Sequence, residues 1–99
     1  MELMAIGSFG PPETVELDEP EWARLRELAD DFGCLLPDDR YGLHDVEPDG
    51  LRSAYTWYWD IAYEDGLVEA ESPVVQRALH ILQLAGDCHM RVFVRPFGP

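Results

Sequence analysis

The sequence contains no lysine, so arginine supplies all seven of its basic side chains, against 20 aspartate and glutamate residues. The formal net charge at neutral pH is −13. A negative field of this size repels phosphate backbones and anionic lipid head groups and attracts basic protein surfaces. The composition therefore argues against direct binding to nucleic acid or to a membrane.

Cysteine is also scarce, with only Cys34 and Cys88 in the chain. Two cysteines are too few for the disulfide framework of a small secreted protein, so we expect free and mostly buried thiols, with a single bridge as the open alternative. Apolar runs stay well short of the ~20 residues that a membrane span needs. The N-terminal residues lack the basic start of a secretory signal, and we expect a cytoplasmic protein.

Motifs for metal, phosphate and nucleophilic chemistry are missing as well. The sequence has no paired Cys-x-x-Cys or His-x-x-x-His spacing, no Asp-x-Asp-x-Asp-Gly calcium loop and no glycine-rich phosphate loop. His44 and Asp45 could form a general base, but neighbouring residues of a strand point to opposite faces and no motif supplies a nucleophile. We therefore predict no catalytic residue, no metal and no cofactor, and thus a protein that is not an enzyme.

An apolar content of 46%, with 11% aromatic residues, predicts a folded chain despite the charge. Its length of 99 residues fits one domain spanning residues 1–99. An apolar run broken at Gly10, Pro11 and Pro12 predicts a strand over residues 2–9, a short extended piece is expected over 14–17, and alternation predicts a last strand over 90–95. Two helices are predicted, one capped by Asp18 with Glu21 and stopped at Gly33, the other begun by Ser72 and Pro73.

The most aromatic stretch, residues 50–66, carries two of the three tryptophans and three of the four tyrosines. Its apolar residues recur with period two, and aromatic residues are enriched in strands, so a half-buried strand is the favoured interpretation. The same residues also fit a helix with one polar arc, and strand or helix over residues 51–63 stays open. A tight turn at 64–66 and an alternating strand at 67–71 are expected to follow.

These elements in order predict an α+β fold of the ferredoxin-like βαββαβ type. We expect a four-stranded antiparallel sheet with two helices on one face and an irregular acidic segment over residues 34–50. The aromatic residues of the second strand are expected to pack in the core under the helices.

Negative charge is concentrated in the first half, where residues 1–49 hold fourteen acids and three arginines. We expect these carboxylates to gather on one outward side and to bind a basic surface of a partner protein, such as a member of a nucleic-acid-binding, nuclease or defence complex. The predicted function is a non-catalytic interaction protein: an inhibitor, an immunity protein or a DNA mimic. The predicted contact residues are Glu13, Glu16, Asp18, Asp30, Asp31, Asp38, Asp39, Tyr41, Asp45, Glu47 and Asp49.

Two alternatives stay open. The acidity could serve only to keep a small domain in solution. A ligand-binding or enzymatic α+β domain with a tryptophan-lined pocket, as a monomer or a homodimer, is the competing class of function.

Overall fold

The computed structural model describes residues 1–7, 10–37 and 44–96, and four strands lie in that part of the chain. They are β1 (Glu2–Ile6), β2 (Glu13–Glu16), β3 (His44–Asp45) and β4 (Arg91–Arg95). All three strand pairs are antiparallel, and the order across the sheet is β2-β1-β4-β3. The predicted α+β class and the four-stranded antiparallel sheet are confirmed.

The helices are α1 (Glu19–Asp31), α2 (Pro48–Trp57), α3 (Tyr63–Asp65) and α4 (Pro73–Cys88), with a π-helical turn, Tyr58–Ala62, between α2 and α3. The capping box predicted for α1 is present, because Asp18 accepts from the Glu21 backbone N–H and Glu21 accepts from that of Asp18. At α4 the Ser72 side chain accepts from the backbone N–H of Val75, as predicted.

Helix α4 packs on the sheet and is contacted on its other sides by α1 and α2. Alternate residues of the strands supply the sheet side of the core, since paired residues of an antiparallel sheet share a face. Leu3, Val15 and Val94 lie opposite one another in register and are all buried. On the other face Met4 and Phe93 are half-buried.

Helices α2 and α4 cross closely at Gly86. A Cβ atom at this position would lie 2.2 Å from the Leu51 carbonyl oxygen and 3.1 Å from the Tyr55 Cβ. Leu51, Ala54 and Ala62 form the buried stripe of the helical segment over residues 48–65. The small side chains on this stripe and the missing one at Gly86 allow the two backbones to approach.

The strand favoured for residues 50–66 is wrong, because this stretch is helical throughout apart from its terminal Gly66. Pro48 stands at the first helical position, where its missing N–H costs nothing. The preference of aromatic residues for strands depends on packing context, and here packing against α4 decides the conformation. The open alternative, a helix with a polar arc, describes the structure.

The predicted strand over residues 67–71 is also wrong. Gly66 ends the helical segment with a left-handed φ of 67°, and residues 66–70 form turns. Val68 is buried and fixes this turn to the core. The ferredoxin-like order with two helices is therefore not confirmed: β1 and β2 precede α1, and β3 lies in the segment predicted to be irregular.

Both cysteines are free, and only Cys34 is buried. Burial raises the pKa of the Cys34 thiol to about 11. Cys88 is exposed at the end of α4, contrary to the expectation of two mostly buried thiols. Within the described ranges, no helix has the length and apolar character to cross a bilayer.

Candidate protein-interaction surface

The predicted contact residues within the described chain occupy three places. Glu13, Glu16 and Asp18 lie on β2 and at the start of α1, Asp30 and Asp31 near the end of α1, and Asp45, Glu47 and Asp49 on β3 and at the start of α2. Strands β2 and β3 are the two edges of the sheet. Three strand spacings of about 4.8 Å put these edges about 14 Å apart. Asp38, Asp39 and Tyr41 lie outside the described residues.

Several of these carboxylates are already paired with arginines from the second half of the chain. Arg77 of α4 lies 3.1 Å from Glu13, and Arg91 of β4 lies 2.8 Å from Asp45. Arg52 lies 3.5 Å from Asp49. The fold thus directs these positive charges to acids of the first half, which lowers the negative field at those places.

The fourth arginine of the second half, Arg95, follows the same pattern and pairs with Glu2 across β4 and β1. Among the predicted contact residues, Asp18 is engaged as the cap of α1. Four of the predicted contact residues are exposed and have neither an ion-pair partner nor a capping role in the described chain: Glu16, Asp30, Asp31 and Glu47.

Large aromatic side chains lie exposed on the helical segment that follows β3. Tyr55, Trp59 and Tyr63 recur every four residues and are 36%, 44% and 58% exposed. The ring centroids of Trp59 and Tyr63 are 5.2 Å apart, with the rings tilted by 47°. Exposed aromatic rings of this size are typical of protein-binding surfaces.

The Trp59 ring is held in place by α4. Its Nε1–H donates to Oε1 of Gln83 at 3.0 Å. Gln83 is only 4% exposed, and its amide nitrogen lies 3.2 Å from Nδ1 of His80. A donating amide requires an unprotonated Nδ1 on His80, so this chain of contacts fixes both the amide and the indole. A partner therefore meets a preorganised ring and loses less side-chain entropy on binding.

Carboxylates follow the aromatic residues directly in sequence. Asp60 succeeds Trp59, Glu64 succeeds Tyr63, and both acids are exposed. A helix turns by about 100° per residue, so these acids form a row beside the aromatic row. We call these five residues, Tyr55, Trp59, Asp60, Tyr63 and Glu64, the acidic aromatic surface.

Residues 53–76 contain five acids and no arginine. Of these, only Glu71 has an ion-pair partner among the residues that the structure describes, and Asp60, Glu64, Asp65 and Glu69 are exposed. The four arginines of the second half, Arg52, Arg77, Arg91 and Arg95, all lie outside this stretch. The acids of the second half without an ion-pair partner in the described chain therefore lie mainly in this window, where Asp60 and Glu64 are the sequence neighbours of Trp59 and Tyr63.

Glu71 is removed from this acidic set by Arg24 of α1. The guanidinium donates from Nε to Oε1 at 2.7 Å and from Nη2 to Oε2 at 3.0 Å. These hydrogen bonds hold the pKa of Glu71 below its usual range. The pair connects α1 to the turn before α4 and has a structural role.

A shallow groove lies on the other side of the helical segment, beside Trp57. Its volume is about 390 Å³, and Phe32 stacks on Trp57 there with a centroid distance of 4.6 Å. Its polar lining residues are Asp31, Arg52, Ser53 and Thr56, and two of them are engaged elsewhere: Ser53 donates to the Asp49 carbonyl, and Arg52 pairs with the Asp49 carboxylate. The groove offers no nucleophile paired with a base, which gives no support to a tryptophan-lined catalytic pocket.

A second cleft of about 330 Å³ separates the start of α2 from the end of α4. Asp45, Glu47, Arg52, His89 and Arg91 line it. Asp45 and Arg91 neutralise each other. In the described part of the chain, no group of three His, Cys, Asp or Glu side chains is placed to hold a metal ion.

Comparisons with known proteins assign no relative: no family model matches the sequence, and neither curated proteins nor solved structures give a match. The surface therefore has to be interpreted from its own chemistry. Sequence reasoning missed it because the strand interpretation placed these aromatic residues in the core. The signal was the helical alternative, in which the polar residues of this stretch form one arc.

Proposed function

We propose that this chain is a non-catalytic interaction protein that binds a basic surface of a partner protein through the acidic aromatic surface. The observation that carries the proposal is the coincidence of exposed aromatic rings with carboxylates that lack an ion-pair partner in the described chain, on one helical segment. Negative charge speeds the encounter with a basic partner, and buried aromatic anchors supply most of the affinity.

The contact residues differ in part from those that the sequence suggests. Tyr55, Trp59 and Tyr63 take the anchor role expected for Tyr41, and Asp60 and Glu64 provide the adjacent charge. Glu16, Asp30, Asp31 and Glu47 lie outside the helical segment over residues 48–65 and add only to the overall negative charge. Glu13, Asp45 and Asp49 contribute less, because arginines neutralise them.

Basic protein surfaces occur above all on proteins that bind nucleic acids. Occupation of such a surface would block it, so the proposed biological form is an inhibitor or immunity protein directed at a nucleic-acid-binding or nuclease partner. The protein could also act as a DNA mimic, with carboxylates in place of phosphates. Of the proposed forms, this one depends least on the aromatic rings.

The experiment is affinity capture from the native host with three forms of the protein as bait. The wild type is compared with Asp60→Asn/Glu64→Gln, which removes charge at the surface, and with Glu16→Gln/Asp30→Asn, which removes equal charge elsewhere. We expect basic partners on the wild type and on the distant variant, lost at high salt and much reduced on the surface variant.

Three results would contradict the proposal. Equal capture by both variants would exclude this surface, and capture that does not respond to salt would exclude charge-guided binding. The absence of any specific partner at low salt would exclude the interaction function itself. Circular dichroism of each bait checks that the variants are folded.

A further inference from the structure

We infer that the acidic aromatic surface receives an arginine side chain of the partner, stacked on Trp59 or Tyr63 and hydrogen-bonded to Asp60 or Glu64. This inference rests on the proposed function, because it names the chemical group that the basic partner must present. It goes beyond charge complementarity, which arginine and lysine would satisfy equally.

The protein contains the same arrangement within its own sheet. The Arg91 guanidinium lies 4.9 Å from the centre of the Phe93 ring and donates from Nη2 to Oδ2 of Asp45 at 2.8 Å. Asp45 and Phe93 are register partners on adjacent strands, so one guanidinium contacts a ring and a carboxylate that are neighbours. The acidic aromatic surface offers rings and adjacent carboxylates to an arginine that comes from outside.

The ring geometry suits a planar cation. The Trp59 N–H donates to Gln83 on α4, the Tyr58 ring packs against the indole at a centroid distance of 5.1 Å, and 44% of Trp59 stays exposed. Tyr63, more than half exposed, stands beside it at a tilt of 47°. A guanidinium can lie on an aromatic face and still donate in its own plane to a carboxylate at the side.

Lysine fits this geometry less well. Its ammonium is compact and strongly hydrated, so stacking on a ring costs more desolvation, and it cannot form the planar fork that a carboxylate accepts from arginine. The surface therefore selects arginine over lysine by the stacking contact, while both cations profit from the negative field.

The test measures binding of hexa-arginine and hexalysine, which carry equal charge, to ¹⁵N-labelled protein at low ionic strength. The three tryptophan indole N–H signals report the site, and Trp59→Leu identifies its own signal. We expect hexa-arginine to bind about fivefold more tightly, the ratio that a cation–π contact of about 1 kcal/mol produces, and to shift the Trp59 signal most.

Variants separate stacking from charge. Trp59→Leu should bring the two affinities to within about twofold, whereas Ile61→Ala, an exposed apolar control on the opposite flank, should keep the fivefold preference. Tyr63→Leu is measured in parallel, so the result does not depend on one variant being folded. Asp60→Asn/Glu64→Gln should weaken both peptides, and more than the equally charged control Glu16→Gln/Asp30→Asn.

The outcomes distinguish the two proposals. Equal affinity of the two peptides, or a preference that survives both Trp59→Leu and Tyr63→Leu, overturns the arginine inference. If Asp60→Asn/Glu64→Gln still weakens both peptides in that case, the proposed function stands. If the surface variant binds no more weakly than the distant control, both the arginine inference and the proposed function fail.

Discussion

Replacement of Gly86 by alanine should destabilise the protein, although the same change at an exposed helical site would stabilise it. Alanine exceeds glycine in helix propensity by about 1 kcal/mol. The new Cβ, however, would lie 2.2 Å from the Leu51 carbonyl oxygen, which belongs to a backbone that cannot rotate away. We expect the collision between α2 and α4 to outweigh the gain in propensity.

The size of the effect follows from the displacement required. An ordinary contact distance begins near 3.4 Å, so the two helices must separate by about 1 Å. A gap of that size forfeits a quarter to a half of the dispersion attraction along the contact, and overpacking of cores costs about 1–3 kcal/mol or more. Because the collision is with backbone, we expect a cost at the upper end, about 3 kcal/mol, which leaves a net loss of about 2 kcal/mol after the propensity gain, or roughly 8–16 °C in Tm.

The measurement is urea unfolding followed by circular dichroism, with thermal unfolding as a second probe. The midpoint should fall while the slope m stays unchanged, since the surface exposed on unfolding is similar. Asp87→Ala, at the next position and exposed, is the control and should keep or raise the stability. A Gly86→Ala protein as stable as the wild type would refute the close approach of α2 to α4.

Three further predictions concern single side chains. At pH 8 a thiol reagent should label the exposed Cys88 in the folded protein and reach Cys34, with its pKa of about 11, only after unfolding; equal labelling rates would contradict the burial. Because Arg24 lowers the pKa of Glu71, their ion pair stabilises the fold at pH values above the carboxyl pKa of the unfolded chain. Glu71→Gln should therefore reduce the free energy of unfolding by about 1 kcal/mol at pH 7, and by progressively less as the pH falls below about 4. Urea unfolding at several pH values measures this difference. His89 ends α4 with a left-handed φ of 54°, a conformation that glycine adopts more easily. His89→Gly should therefore stabilise the protein by about 0.5–1 kcal/mol in thermal unfolding. A loss of stability would indicate an imidazole contact that outweighs the backbone strain.

Local signals in the sequence predicted the elements whose ends are fixed by caps. Asp18 with Glu21 and Ser72 with Pro73 mark where α1 and α4 begin, because the caps accept from first-turn N–H groups that have no partner within the helix, and Pro73 has no N–H to satisfy. Strand β1 was predicted from an apolar run ended by breakers, β4 from alternation, and β2 only as a short extended piece. These features made the α+β class predictable.

The stretch over residues 50–66 could not be assigned in the same way, because its conformation depends on a distant partner. The same side chains satisfy a strand pattern and a helix pattern, and the close approach at Gly86 favours the helix. The error carried over to the candidate site: a strand under helices hides Trp59, whereas the helix exposes it.

Counting charges along the sequence also leaves out how the fold pairs them. Counting along the sequence gave a strongly acidic first half and a nearly neutral second half. The fold pairs arginines of the second half, such as Arg77 and Arg91, with acids of the first. Only three-dimensional pairing shows that the acids around Asp60 and Glu64 have no such neighbour within the described residues.

The π-helical turn, Tyr58–Ala62, has a consequence for how this segment tolerates change in length. Here the Tyr63 N–H donates to the Tyr58 carbonyl five residues back, so the turn holds about one residue more than an α-helical turn. Deletion of a single residue in it would remove this surplus and restore regular α-helical winding, so the following side chains would keep nearly their present direction relative to Tyr55. A deletion in the α-helical turn before it, where there is no surplus residue, would instead turn Tyr63 and Glu64 by about 100° relative to the residues before the deletion.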